Sequence, residues 1–262
     1  AVTRFIKNLI LLAIAVVLVP LSVANRHTVS LSLNPFDPQD PRLTIPDIPL
    51  FWIIFASLGC GIIVGGIGAW AAGTSTVISG GYYNTVYASH STIRGGKSNL
   101  IYKAYATISG GLDNLVTGYA ATVTGGWENT ASAGYATVSG GAYNVCKGTY
   151  CVVNGGMYNI AAGDSSVVHG GLYNGALNYV TLVGGGQYNT VYGSYSTISG
   201  GVNNAVYYAH SLLTAGYGNY VYGYGTTITG GYENTAFNTH STVVGGEFNV
   251  VYSPYASVTG GY

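Results

Sequence analysis

The stretch ATVSGGAYNVCKGTY, residues 136–150, contains one full period of this chain. Its glycine pair and its asparagine both recur every fifteen residues, and the pair lapses once, where Ala215 precedes Gly216. The asparagine column is Asn84, Asn99, Asn114, Asn129, Asn144, Asn159, Asn174, Asn189, Asn204, Asn219, Asn234 and Asn249. A fixed short period with fixed residue types indicates one supersecondary unit stacked on itself.

Within the period, Ala136-Thr137-Val138 alternates small, polar and aliphatic residues, which is typical of a half-buried strand. A second strand follows Asn144 and ends near Gly148, where a turn is expected. Fifteen residues are too few for a pair of helices. We therefore predict that residues 73–262 form an all-β parallel β-solenoid of 15-residue coils. Roughly twelve coils, each about 4.8 Å above the last, would make a rod about 60 Å long.

The asparagine and glycine columns have a structural interpretation. Glycine permits positive φ and close backbone approach at a corner, and a stacked asparagine column forms an amide ladder from coil to coil. Calcium binding by glycine-rich repeats would require a carboxylate in each turn. From residue 74 onwards the acidic residues are Asp113, Glu128, Asp164, Glu233 and Glu247 only. We predict a structural asparagine ladder and no metal site.

The repeat pattern Ala/Ser-Thr-Val-x-Gly-Gly-x-x-Asn-x-Val/Ala, over residues 75–262, resembles the head repeats of trimeric autotransporter adhesins. The resemblance implies a left-handed β-roll and a homotrimer. The pattern reaches Tyr262 without a polar cap, so we expect further sequence or a partner to cover the last strand edge.

The composition excludes some partners and favours others. The formal net charge is zero and only 6% of residues are charged, which argues against nucleic acid as a ligand. Tyrosine is frequent, with 25 residues, and several tyrosines share a repeat position. They could serve packing and subunit contact, or form a platform for glycans or another protein. These tyrosines are Tyr143, Tyr158, Tyr173 and Tyr188 in one column, and Tyr192, Tyr207 and Tyr222 in another.

The first 72 residues are different in character. Residues 5–24 and 48–72 are apolar runs long enough to cross a bilayer, so we predict a transmembrane α-helical hairpin over residues 1–72 that contacts membrane lipid. A stripe of small residues in the second run would let helices approach closely. Its members are Ser57, Gly61, Gly65 and Ala69. The alternative for residues 4–24 is a secretory signal cleaved after Ala24.

The amino-terminal region also resembles a known family. The stretch ANRHTVSLSLNPF, residues 24–36, followed by Pro49-Leu50-Phe51 and GGIGAW, residues 65–70, is similar to the lipopolysaccharide assembly protein A domain. That family consists of small bacterial inner-membrane proteins with two helices and a cytoplasmic tail. The resemblance implies a multi-pass protein of the bacterial inner membrane whose solenoid lies in the cytoplasm.

No catalytic, cofactor or metal site is predicted. His90, His210 and His240 share one repeat position but alternate with tyrosines, which is typical of surface aromatics. Cys146 and Cys151 bracket one turn; they could pair in an oxidising compartment, although two inert core substitutions are the interpretation we favour.

These patterns favour a non-catalytic, membrane-anchored rod that acts as a scaffold or accessory subunit beside other membrane proteins. The alternative is an adhesin-like rod exposed outside the inner membrane, which binds glycans or cells. A solenoid enzyme is the weakest hypothesis, because it would need clustered acid–base residues in a groove.

Overall fold

The computed structural model describes residues 28–32, 44–50, 52–53, 55–57 and 69–261. The chain divides into two compact units, residues 1–66 and residues 67–262. The boundary therefore lies before the predicted one at residue 72, because residues 69–71 already pair with the first repeat.

In the amino-terminal unit, strands β1 (Thr28–Ser32) and β2 (Thr44–Pro49) form an antiparallel pair with Thr28 opposite Pro49. Residues 50, 52–53 and 55–57 are helical. The predicted first span, residues 5–24, lies outside the described residues. No helix within the described residues is long and apolar enough to cross a membrane.

Both ends of the second predicted span, residues 48–72, are strands. Its first two residues belong to β2, and Ala69–Ala71 forms strand β3, which pairs in parallel with residues 84–86. Residues 58–68 lie outside the described residues, so the span between these ends stays a prediction. Hydropathy extended the predicted span over these strands, because an apolar segment satisfies a membrane span and a solenoid strand equally well.

The second unit is a parallel β-solenoid, which confirms the fold predicted for the repeat region. It has two 13-stranded sheets, one coil more than the asparagine column suggested. The first, called here the threonine sheet, contains β4 (Val77–Ile78), β6 (Thr92–Ile93), β8 (Thr107–Ile108), β10 (Thr122–Val123), β12 (Thr137–Val138), β14 (Val152–Val153), β16 (Val167–Val168), β18 (Leu182–Val183), β20 (Thr197–Ile198), β22 (Leu212–Leu213), β24 (Thr227–Ile228), β26 (Thr242–Val243) and β28 (Ser257–Val258).

The other sheet is called here the asparagine sheet. It consists of the second strand of each coil, which lies next to the asparagine column. It contains β3 and β5 (Asn84–Val86), β7 (Leu100–Ile101), β9 (Leu115–Val116), β11 (Thr130–Ala131), β13 (Val145–Cys146), β15 (Ile160–Ala161), β17 (Gly175–Ala176), β19 (Thr190–Val191), β21 (Ala205–Val206), β23 (Tyr220–Val221), β25 (Thr235–Ala236) and β27 (Val250–Val251).

Each strand pairs with the strand one coil away in strict 15-residue register. In the threonine sheet, for example, Thr122 lies opposite Thr107 on one side and Thr137 on the other. A third point of contact, an isolated parallel bridge such as Trp127 to Ala142, joins the same pairs of coils between the two strands. Every coil is thus hydrogen-bonded to its neighbours at three places around its circumference.

The core is a set of inward-facing columns between the sheets. The aliphatic column of the threonine sheet, including Ile108, Val123 and Val138, is fully buried from coil to coil. Opposite it lies the column that contains Val116 and Ala131, which is also fully buried. Alternation along each two-residue strand produces this arrangement, since the first residue is half-exposed and the second is buried.

A further buried column holds small residues, which are alanine, serine, threonine or, at one coil, Cys151. The serines and threonines of this column usually bond across coils. Ser211 Oγ donates to the carbonyls of Ala209 and Gly223 and accepts the backbone N–H of Thr226. In the described part of the chain, Ser166 Oγ is the buried side-chain atom with no hydrogen-bond partner. Ser166 therefore bears a desolvation cost without a compensating bond.

This contrast predicts opposite effects for one substitution at two coils. Ser166→Ala is expected to raise the free energy of unfolding by about 1 kcal/mol, because an unpaired buried hydroxyl is removed where other coils carry alanine. Ser211→Ala is expected to lower it by about 2 kcal/mol, because it leaves buried backbone groups unpaired. Urea unfolding followed by circular dichroism measures both. A loss of stability in Ser166→Ala equal to that in Ser211→Ala would contradict the assignment.

Candidate functional site

The asparagine column forms a continuous hydrogen-bonded ladder through the solenoid. The backbone N–H of Asn114 donates to Asn99 Oδ1 at 3.1 Å, and Asn114 Nδ2 donates to the carbonyls of Gly110 at 3.1 Å and Gly126 at 3.0 Å. Asn114 Oδ1 in turn accepts the backbone N–H of Asn129 at 2.9 Å. The same bonds recur along the column, and these side chains are buried from Asn84 to Asn234. Asparagine suits the position because its amide supplies both donors and an acceptor.

The two glycines of each pair have different roles. The second glycine of every pair from Gly81 to Gly246 has φ between +81° and +105°. A Cβ on Gly126 would collide with the carbonyl oxygen of Gly141 in the next coil and with Asn129 Nδ2. A Cβ on the preceding residue, Gly125, would meet no atom within 4 Å. This difference explains why the sole lapse in the pattern falls on a first position, where Ala215 stands.

The two predicted tyrosine columns are continuous stacks of rings. In the first, Tyr143, Tyr158, Tyr173 and Tyr188 follow one another with centroids 4.7, 4.7 and 5.3 Å apart and planes within 9° of parallel. The second column runs Tyr192, Tyr207, Tyr222, and then continues through Phe237 to Tyr252, with centroid separations from 4.5 to 5.2 Å. The prediction missed its last two members, although they share the same repeat position.

A third aromatic column, predicted from histidines that alternate with tyrosines, runs along the edge of the threonine sheet. One segment joins the rings of His90, Tyr105, Tyr119, Tyr135 and Tyr150, with edge-to-face contacts on both sides of Tyr119 and parallel contacts elsewhere. The other segment joins Tyr179, Tyr195, His210, Tyr224, His240 and Tyr255, and it mixes parallel contacts with tilted and edge-to-face ones. Histidine therefore acts here as one more ring in a stack.

Parallel stacking has a consequence for recognition. A sugar ring or an apolar chain binds to the flat face of an aromatic side chain, and inside a stack each face is covered by the next ring. The continuous columns thus present ring edges and hydroxyls to solvent. In these two parallel columns, ring faces become available only where the column ends or is interrupted.

One hydroxyl in each of the two predicted tyrosine columns has a raised pKa. Partial desolvation, reinforced by Glu128 and Tyr158, raises the pKa of Tyr143 above the usual tyrosine value. Desolvation and a hydrogen bond with Tyr222 likewise raise the pKa of Tyr207. The stacks are therefore uncharged surfaces, and they favour neutral partners over ionic ones.

Many of the stacked residues hold an unusual backbone conformation. Tyr143, Tyr158, Tyr173 and Tyr188 have φ between +54° and +56°, the left-handed region that L-residues seldom adopt. The cost of that conformation is roughly 1 kcal/mol per residue or more, and the ring stack offsets part of it.

Cys146 and Cys151 form a disulfide, with their Cα atoms 5.8 Å apart. The favoured interpretation of two unpaired core residues is therefore wrong. The two residues belong to inward columns that meet across one turn of the coil, and both are fully buried. The short sequence spacing could not show that the turn brings the two side chains together.

The predicted helix-packing stripe is only partly described. Ser57 lies in the helical segment, where its hydroxyl donates to the carbonyl of Ile53 at 2.7 Å. Ala69 lies in strand β3 and not in a helix. Gly61 and Gly65 are outside the described residues. The part of the stripe that is visible therefore does not lie on one helix.

The described residues contain no group of three or more His, Cys, Asp or Glu side chains that could hold a metal ion. One open cavity of about 500 Å³ lies on the threonine sheet, with a floor that includes Val167 and Leu182. A smaller one of about 310 Å³ lies beside Tyr217, Tyr220 and Glu233. Both are surface depressions and contain no acid–base pair arranged for catalysis.

A scan against models of known protein families finds no match to this chain, and a search of curated proteins also finds none.

Proposed function

We propose that this protein is a non-catalytic, membrane-anchored β-solenoid rod that serves as a structural or accessory subunit of a larger membrane assembly. The observation that supports this proposal is the continuity of the asparagine ladder, which joins every coil to the next from residue 84 to residue 249. A rod whose coils are hydrogen-bonded to one another keeps its two ends at a fixed distance, which is what a spacer or scaffold requires. Anchoring rests on the apolar segments of residues 1–72.

The disulfide changes the proposed side of the membrane. Disulfides persist in oxidising compartments and are rare in the cytosol. Cys146–Cys151 therefore favours a solenoid that lies outside the cytoplasm, in place of the cytoplasmic location that the amino-terminal resemblance implies.

A homotrimer remains part of the proposal, together with membrane lipid and other membrane subunits as partners. Its support is the outward face of the asparagine sheet, where Leu100, Leu115, Val145 and Ile160 are half-buried in one chain and carry no charge. These residues form two apolar pairs on either side of Thr130, and exposed apolar surface of this kind marks protein contacts. Mass measurement in mild detergent should give three chains per particle, and a purely monomeric mass would remove the trimer.

An adhesin-like binding rod is the second candidate. The observations that favour it are the number of exposed rings, such as Tyr252 and Tyr255, and the disulfide, which is typical of proteins in oxidising compartments. Such a rod would bind neutral glycans or proteins at the interruptions of its columns.

Topology tests whether adhesion is possible, and recovery of partner subunits then separates the two candidates. A single reporter cysteine, Ser253→Cys in a Cys60→Ser background, should react with a membrane-impermeant maleimide in intact spheroplasts. The Cys60→Ser protein alone is the control, since its remaining cysteines are paired. Labelling only after permeabilisation would place the solenoid in the cytoplasm and exclude adhesion. If labelling occurs, gentle extraction should recover partner subunits with the rod. Recovery of the rod alone, with loss of cell attachment on its deletion, would favour the adhesin.

A further inference from the structure

The third aromatic column is interrupted at one coil. Where the column position holds a residue without a ring, the preceding residue usually supplies one. At Ala120 the ring of Tyr119 lies between Tyr105 and Tyr135, with centroids 5.4 and 5.9 Å away. At Gly225 the ring of Tyr224 does the same. The coil that contains Asp164 and Ser165 has no ring at either position. The stack therefore stops at Tyr150 and resumes at Tyr179.

The interruption coincides with the larger cavity. The cavity of about 500 Å³ is bounded by Ser165, Val180 and Tyr195 along the column and by His169 on the opposite side. Val167 and Leu182 form its floor, at a position where most coils carry threonine. The result is an open depression with an apolar floor, one aromatic ring at Tyr195, and hydroxyl and imidazole groups at its rim. An apolar surface with a few polar groups is the usual composition of small-ligand sites.

One wall of the cavity is strained. Val180 has φ of +51° and is the only β-branched residue at positive φ among the described residues. A β-branched side chain is a clear outlier in that region, where tyrosine, histidine and serine stand in other coils. Backbone strain of this kind concentrates at functional sites.

The opposite wall is oriented by a hydrogen bond. Asn154 Nδ2 lies 2.8 Å from His169 Nδ1. An amide NH₂ donates, so this contact is a hydrogen bond in the tautomer whose Nδ1 accepts and whose Nε2 carries the proton. That N–H is a donor at the rim of the cavity, fixed in direction by Asn154.

We propose that this cavity binds one neutral pyranose ring of a glycan. The apolar face of the sugar would lie on Val167 and Leu182 with one edge against Tyr195, and its hydroxyls would bond His169 Nε2 and Ser165 Oγ. The walls and floor carry no charged side chain, which disfavours an ionic ligand. A purely aromatic ligand would leave the hydroxyl and imidazole groups of the rim unpaired. The proposal names a ligand for the adhesin candidate and rests on that candidate. It uses only residues of the solenoid, so it does not depend on the scaffold role.

Saturation-transfer NMR on the full-length protein in phospholipid nanodiscs tests the site, with methyl glycosides of glucose, galactose and mannose as probes. Nanodiscs avoid detergents with sugar headgroups. At least one glycoside should receive saturation, chiefly at the C–H protons of one ring face. Ser165→Tyr continues the stack above Tyr150 and fills the cavity, so it should weaken binding by on the order of tenfold or more.

Ser98→Tyr is the matched control. It makes the same change at another left-handed position, φ +55°, away from the cavity, and should leave binding unchanged. His169→Ala should weaken binding without changing the melting temperature, which separates recognition from folding. Three results would overturn the proposal: no glycoside binding to the unmodified protein, equal binding by Ser165→Tyr, or binding of phenol in preference to every glycoside. A rod located in the cytoplasm would remove the adhesin role, yet it would leave sugar binding measurable.

Discussion

Gly126→Ala is expected to lower the free energy of unfolding of the solenoid by at least about 3 kcal/mol. Gly126 has φ of +91°, and a Cβ there would overlap the carbonyl oxygen of Gly141 and the side-chain nitrogen of Asn129. Neither group can move freely, because the first is backbone of the next coil and the second belongs to the ladder. The loss therefore combines backbone strain, overlap and disrupted hydrogen bonds between two coils.

Gly125→Ala is the matched control, one residue earlier. Gly125 does not have φ in the left-handed region, and its added Cβ meets no atom within 4 Å. Its effect should stay within about 1 kcal/mol, and it could be stabilising because alanine restricts the unfolded chain. Urea unfolding of both variants gives the comparison. Equal losses in the two variants would show that the glycine pair is required for a reason other than the close approach of coils.

Asn114→Ala is the second substitution with a large expected effect. It removes the acceptor for the backbone N–H of Asn129 and the donor to the carbonyls of Gly110 and Gly126. Leaving a buried polar group unpaired costs about 1–3 kcal/mol, so we expect a total loss of roughly 3–6 kcal/mol. Thermal and urea unfolding, with amide hydrogen exchange at Asn129, measure the loss and locate it.

Two companion variants make this test specific. Asn154→Ala removes an exposed amide that bonds only His169, and it should cost no more than about 0.5 kcal/mol. Asn114→Asp keeps the acceptor for Asn129 but directs a carboxylate at two carbonyl oxygens in a buried site. Burial would raise the pKa of the new acid, so its stability should fall as pH rises through that value. A loss in Asn114→Ala as small as that in Asn154→Ala would contradict the ladder's role.

Most of the solenoid could be predicted because the same local residue pattern recurs in every coil. Period-two alternation in Thr122-Val123 or Thr137-Val138 is a local signal, and its recurrence in every coil removes the ambiguity of any single short strand. The asparagine ladder could also be predicted, because one amide-bearing residue type at a fixed spacing is typical of a ladder of stacked side chains. In-register stacking then follows from the period itself.

The first coil was missed for a specific reason. Ala71 pairs with Val86 and occupies the inward position of the repeat, but Ala69 stands where every later coil has asparagine. Without that marker, the apolar segment before residue 72 matched a membrane span. Hydropathy measures the preference for a nonaqueous environment and does not distinguish lipid from a solenoid core.

The geometry of the aromatic rings could not be predicted from the sequence. Periodicity placed Tyr143 and Tyr158 in one column, but it could not show that their faces cover each other. Nor could it show that Tyr119 replaces a missing ring at Ala120 whereas Asp164 leaves the next gap open. Such details depend on side-chain direction at left-handed positions, which a repeat pattern does not encode.

The central claim is that every coil is an interchangeable 15-residue unit whose register is set by the asparagine ladder. Deleting residues 107–121 removes one whole coil, and deleting residues 108–121 removes one residue fewer. X-ray scattering and urea unfolding should show that the first deletion shortens the rod by about 4.8 Å and keeps one cooperative transition. The second deletion should be less stable by several kcal/mol, because one coil can no longer align its ladder and both strands at once. Equal stability of the two deletions would contradict this claim.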